Sequence, residues 1–156
     1  MTSGGSLDPR KRTFEPASRL TLDTSAYSRF RAGDSRVHDL MASAEIVFVP
    51  TTVLGELYGA FESGSRAREN RVALAELLDE PWVSVAAVTL SVARQYGTIY
   101  ASLRKAGTPI PVNDMWIAAA TMDQGATLLT FDSDFSRVAG LNRIVLEGIE
   151  PGTDED

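Results

Sequence analysis

The chain has no cysteine and a single histidine, His38, among its 156 residues. Without cysteine there is no disulfide framework and no thiolate metal site, and the expected setting is a reducing, cytoplasmic one. Long hydrophobic runs are missing too. No apolar stretch approaches the roughly 20 residues needed to cross a bilayer, and the Gly/Ser/Arg-rich start lacks the apolar core of a signal peptide. No membrane contact is expected. Positive charge is also short, with 15 Lys and Arg against 21 Asp and Glu and a formal net charge of −6. This balance argues against a protein that coats nucleic acid. An acidic chain that handles RNA needs a local basic rim, a divalent cation, or a basic partner.

What is present suffices for one globular domain: 44% of the residues are hydrophobic and 23% charged. Residues 1–18 are polar and punctuated by Pro9 and Pro16, and they read as a flexible N-terminal arm. Its basic run, Arg10-Lys11-Arg12, can touch RNA but needs no role beyond solvation. The domain proper spans 19–150, and 151–156 form an acidic tail.

Short apolar runs alternate with helical patterns. Strands are expected at Leu20–Leu22, Ile46–Val49, Val83–Val85, Thr127–Thr130 and Ile144–Leu146. They are β-branched or Leu-rich and mostly continuous, as strands buried on both faces should be. Helices are expected near 24–43 (two of them), 51–63, 66–79, 89–106 and 113–124, with Gly64, Gly107 and Gly125 near three of their ends. Such alternation predicts a parallel sheet of four to five strands with helices on both faces. Right-handed crossovers place every strand-to-helix junction on one edge, where open α/β sheets hold their sites.

Acids occupy that edge. Asp23 follows the first strand, Glu56 lies early in the helix after the second, Asp114 opens the helix near 113, and Asp132 and Asp134 follow the fourth strand. Each aspartate has a bland alternative as a helix cap or a first-turn acid. Glu56 is harder to dismiss. It flanks the apolar stripe Val53, Leu54, Leu57, Tyr58 and Phe61, with no Lys or Arg within a turn to pair it. Carboxylates gathered this closely repel one another unless a cation neutralises them. Oxygen donors alone point to Mg²⁺ or Mn²⁺ rather than zinc.

These residues, in this order, resemble the PIN-domain ribonucleases. The matching segments are LDTSA (22–26), VPTTVLGELYGA (49–60), RQYGTIYASLRKAGTPIPVNDMWIAAAT (94–121) and LLTFDSDF (128–135), and the last two are similar to the VapC toxins of bacterial toxin–antitoxin pairs. The resemblance implies a three-layer α/β/α sandwich, usually dimeric, that hydrolyses RNA, tRNA or rRNA in this family. It also implies a small antitoxin whose tail blocks the site. By position, Asp23, Glu56, Asp114 and Asp132 match the catalytic and metal-site acids, with Asp134 a supporting metal ligand. Thr24, Asn113 and Thr130 stand beside these acids, and Tyr27, Phe30, Leu57 and Phe61 are candidates for the antitoxin groove or for the core.

Other residues take structural roles. Trp116, Ile117 and Ala118–Ala120 read as a buried helix face, Trp82 and Tyr100 as core or interface, and Arg94, Arg104 and Lys105 as a phosphate rim or a solvated face. Two alternatives remain. A phosphatase of the haloacid-dehalogenase type wants a second acid where Ser25 stands, and a receiver wants adjacent acids after its first strand. A catalytically silent binding module on the same fold has no reason to keep the whole acidic set.

Overall fold

The computed structural model describes residues 17–148. The Arg10-Lys11-Arg12 run and the acidic 151–156 segment lie outside them. The elements are β1 (Arg19–Leu22), α1 (Thr24–Arg31), α2 (Ser35–Ser43), β2 (Ile46–Pro50), α3 (Thr51–Glu62), α4 (Ala67–Leu78), β3 (Val83–Ala86), α5 (Leu90–Ala106), α6 (Val112–Asp123), β4 (Thr127–Thr130) and β5 (Arg143–Val145). A short 3-10 turn, Ser133–Arg137, stands between the last two strands.

All five strands pair in parallel, in the order β3-β2-β1-β4-β5. The expected α/β/α sandwich is therefore present. Its central strands are apolar on both faces: Leu20, Leu22, Val47, Val49, Leu128 and Leu129 are all fully buried. The edge differs, since Val85 of β3 is 43% exposed. An edge strand needs covering on fewer sides, so its continuous apolar run overstates its burial. β5 begins one residue earlier than its apolar run suggests, at Arg143.

Topology locates the site. The chain moves from β1 outward through β2 to β3, then crosses back through α5 and α6 to β4 on the other side of β1. The direction of winding reverses between β1 and β4, and a crevice opens there at the strands' carboxyl ends. Adjacent register brings the two ends together, with Leu22 opposite Leu129. Asp23 and Thr130 are the next residues along.

Local signals explain several helix boundaries. Asp23 caps α1 through Ala26 N, Asp34 caps α2 through Arg36 N, and Thr89 caps α5 through Val92 N. Gly107 ends α5 with a φ of 68°, a conformation that glycine adopts without penalty. Gly64 has no such φ, and α3 simply stops at Ser63. Helix α6 starts at Val112 behind Pro111, one residue before its expected start, so of the two readings of Asp114 the first-turn acid holds and the cap does not. One expectation is corrected. Trp116 is only half-buried, and it stacks on Tyr96 at 4.0 Å between ring centroids.

Candidate metal centre

Asp23 leaves β1 with both carboxylate oxygens already engaged. Oδ1 accepts from Ser25 Oγ at 2.7 Å and from Ala26 N at 2.8 Å, while Oδ2 accepts from Thr130 Oγ1 at 2.5 Å. The residue is 4% exposed. Burial pushes its carboxyl above the ordinary aspartate value, against three hydrogen bonds that stabilise the anion, and nearby Asp132 pushes the same way as burial. Asp23 is thus the helix cap and also stands at the mouth of the crevice beside Thr130.

Two hydroxyls organise the centre. Thr130 is fully buried, and its Oγ1 donates to Asp23 while accepting from Asp132 N at 3.0 Å. Ser25 Oγ donates to Asp23 and accepts from Phe131 N at 3.0 Å. Both therefore tie the end of β1 to the loop after β4. Thr24 Oγ1 donates to Glu56 Oε1 at 2.7 Å, which holds that half-buried carboxylate from α1. Asn113 is exposed.

The remaining acids converge across the crevice. Carboxylate oxygens of Asp114, Asp132 and Asp134 all lie within 4.8 Å of one another. Asp132 Oδ1 also accepts from Asp134 N at 2.9 Å, so the 3-10 turn is capped by the acid that precedes it. Asp114 is pushed up to about 6, first by burial, then by the charges of Asp132, Glu56, Asp23 and Asp134. The structure thus draws three of the five predicted acids into one tight group. Glu56 and Asp23 lie outside its 4.8 Å radius but within electrostatic reach of Asp114. Carboxylates alone make up the group. His38 is remote, an exposed residue of α2 whose Nε2 contacts Phe30 O at 2.9 Å. Hard oxygen donors around a carboxyl that burial and repulsion push upward fit a cation of the Mg²⁺ class.

Positive charge collects beside these acids. Arg137 stands 3.4 Å from Asp134 Oδ1, and its Nη1 donates to Pro109 O at 3.3 Å. The Arg29 and Arg36 guanidinium groups lie over the Phe131 ring at 5.1 and 5.5 Å. Arg36 is already paired with Asp34 at 2.8 Å, so Arg137 is the guanidinium shown against one of these acids, while Arg94, Arg104 and Lys105 are exposed residues of α5. Sequence reasoning missed Arg137 and the bridging role of Ser25. An Arg three residues after Asp134 was a signal for the first.

Removing the Thr130 hydroxyl tests the framework without touching an acid. Thr130→Val keeps the volume, leaves Asp132 N without its acceptor, and strips a donor from Asp23. Urea denaturation should show a loss of about 1 kcal/mol, and the Asp23 carboxyl should titrate higher still. Thr130→Ser should behave as wild type in both measurements.

Fold and site together define an α/β domain with an acidic crevice at its switch point. The family model described as "PIN domain" matches residues 20–141. Ribonuclease VapC1 of Haemophilus influenzae (strain R2866) is 33% identical over 107 residues, covering 68% of this chain and 78% of that protein. Among solved structures, VapBC2 from Rickettsia felis, bound to a DNA fragment from its promoter, matches with a TM-score of 0.72 at 20% identity. That match covers 81% of this chain and 98% of that one. Mycobacterium tuberculosis VapC20, described as a sarcin-ricin loop cleaving toxin, matches with a TM-score of 0.62 at 25% identity, over 83% of this chain and 99% of that one. The chain belongs to the PIN-domain family, in its VapC-type branch.

Proposed function

We propose that this protein is a metal-dependent endoribonuclease and the toxin of a toxin–antitoxin pair, acting on RNA of the tRNA or rRNA class. The observation that carries the chemistry is the Asp114, Asp132 and Asp134 group, with its oxygens within 4.8 Å of one another. These three residues would hold Mg²⁺ or Mn²⁺, with Asp23 and Glu56 completing the catalytic set. A cation there supplies Lewis acidity, neutralising phosphate charge and acidifying water enough for it to attack at neutral pH. The chain's own residues do the rest. Thr130 and Ser25 fix the Asp23 carboxylate, Thr24 fixes Glu56, and Arg137 offers a guanidinium to phosphate at the rim.

In this reading water is the nucleophile, so cleaved RNA should carry 5′-phosphate and 3′-hydroxyl ends. Purified protein should cut RNA in Mg²⁺ or Mn²⁺ and stop in EDTA. Cleavage that persists in EDTA, or products with 2′,3′-cyclic ends, would remove the cation from the mechanism.

The partner assignment has support of its own. Tyr27, Leu57 and Phe61 are buried in the core and are withdrawn as groove residues, because nothing outside the molecule can reach them. Half-buried Phe30 remains. It lines a groove of about 450 Å³ with Met41, Leu77 and Trp82, edged by Arg31, Glu76 and Glu80, which suits an amphipathic antitoxin segment. A homodimer is also proposed, on the family resemblance. Induction in a bacterial host should arrest growth, and co-expression of the small protein encoded beside it should restore growth. A harmless wild-type chain that binds no such neighbour would end the toxin reading but not the nuclease one.

A further inference from the structure

A cavity of about 320 Å³ lies between the end of α5 and the start of α6, with Tyr100, Leu103, Arg104, Pro109, Ile110 and Met115 in its wall. That volume is at the lower end of small-ligand sites, roughly 300–1,000 Å³, and suits one heterocyclic ring system rather than a helix. Two links relate it to the acids, one along the chain and one in space. Met115 directly follows Asp114 on α6. On the opposite side, Pro109 O accepts from Arg137, whose guanidinium stands 3.4 Å from Asp134 Oδ1. One guanidinium therefore separates the cavity wall from the acidic group.

The wall combines two kinds of chemistry. Tyr100 is 45% exposed, an unusual amount for a ring that ends a stack. It lies at 6.3 Å and 23° from Tyr96, which lies at 4.0 Å and 18° from Trp116. Three near-parallel rings thus run to the cavity, and Leu103, Ile110 and Met115 supply apolar surface. Against this stand Arg104 in the wall and Arg137 behind Pro109, both cations in a chain of net charge −6. An apolar aromatic wall edged with guanidinium matches a flat base attached to a phosphate.

We propose that this cavity seats a nucleobase next to the cleaved phosphodiester of single-stranded RNA, with Tyr100 as the stacking wall and Arg104 as a phosphate contact. The proposal rests on the ribonuclease reading and adds a specificity pocket to it. RNA strands are recognised mostly through unstacked bases laid on aromatic rings, and such a site is sequence-tolerant while fixing register. Register matters here, because it selects which phosphate reaches Asp114.

The test uses short single-stranded RNAs, each with one abasic nucleotide walked along the strand, cleaved by the whole protein in Mg²⁺. For wild type, KM should rise about tenfold at one position beside the cut, the loss expected for one base–aromatic stack. Tyr100→Ser should raise KM about tenfold on intact RNA and should no longer sense that abasic position. Tyr100→Phe should restore both. Arg104→Gln should weaken binding for all sequences and lower the salt slope of log KM by about one. Far-UV circular dichroism should be unchanged throughout. If Tyr100→Ser keeps the wild-type KM and abasic profile, the pocket proposal is overturned and the ribonuclease reading stands. The pocket proposal falls equally if Tyr100→Ser only turns a dimer into a monomer by sedimentation, since the cavity is then a seat for a second copy. Wild-type protein that cuts no RNA in either cation overturns the reading beneath it.

Discussion

Asp114→Asn is expected to lower Mg²⁺-dependent RNA cleavage by more than about a hundredfold with the fold intact. The lower bound comes from metal sites elsewhere, where removing a mere supporting hydrogen bond costs about 10- to 100-fold, and a charged ligand should cost more. Asp114 faces four other carboxylates, and burial with their repulsion pushes it up to about 6. A cation in the crevice would relieve that repulsion. Asparagine keeps the shape and removes the charge. The helix should not notice, because α6 takes no side-chain cap from Asp114 and starts at Val112 behind Pro111. Cleavage assays on variant and wild type, with circular dichroism as the control on folding, decide the matter. Variant activity within a few-fold of wild type would place Asp114 outside the machinery.

Asp23→Asn makes a less clean experiment. Its carboxylate also caps α1 and takes two hydroxyl donors, from Ser25 and Thr130. Asparagine caps nearly as well, but it presents an amide N–H₂ to one of those hydroxyls, and the hydroxyl must turn to accept. Any loss of cleavage then mixes charge with geometry.

How far this arrangement was legible depended on the range of the contacts involved. The parallel sheet followed from short apolar runs alternating with helical patterns, which is local information. The acids could be placed on one edge because crossover handedness brings every strand-to-helix junction to the same side. Ser25 shows where this stops. Its second partner, Phe131 N, is 106 residues away, and the bond exists only once β1 and β4 lie side by side. Nothing near Ser25 in the chain announces it. Trp116 shows another limit, since it shares a helix with buried Ile117 and Ala118, and periodicity leaves open which flanking residue stays outside. Its stacking on Tyr96 depends on how α5 packs against α6. Tyr58 failed for the same reason: it belongs to the stripe by spacing and yet is 42% exposed. Conversely, four carboxylates around Asp114 could be expected from the junctions, but only coordinates separate the tight group from Glu56 and Asp23.

The acids should also be visible in stability, and with a definite sign. Asp114 binds its proton more tightly in the folded protein, at about 6, than the ordinary value of 3.8. Buried Asp23 is shifted in the same direction. Without a cation, folding therefore favours the protonated forms. The contribution of these two acids to stability in EDTA is largest below the unfolded value, falls as pH rises from about 4 through about 6, and is then level. Asp114 is partly exposed, so solvent screening reduces its share of that fall to about 1 kcal/mol. On the proposed function Mg²⁺ binds the folded crevice and not the unfolded chain, so at roughly ten times a dissociation constant of about 1 mM it should return about 1.4 kcal/mol. For a chain of this length that is a rise of about 3–5 °C in melting temperature. Asp114→Asn reverses both responses. Above pH ~7 in EDTA it should melt higher than wild type, because a repelled charge is gone, and it should gain less from Mg²⁺. A first-turn acid that held no cation would behave otherwise, since Mg²⁺ would then shift both proteins alike. Thermal melts of the two proteins, in EDTA and in Mg²⁺ at matched ionic strength, separate the cases. Equal Mg²⁺ shifts would mean that Asp114 shares no cation with Asp132 and Asp134, whatever their distance.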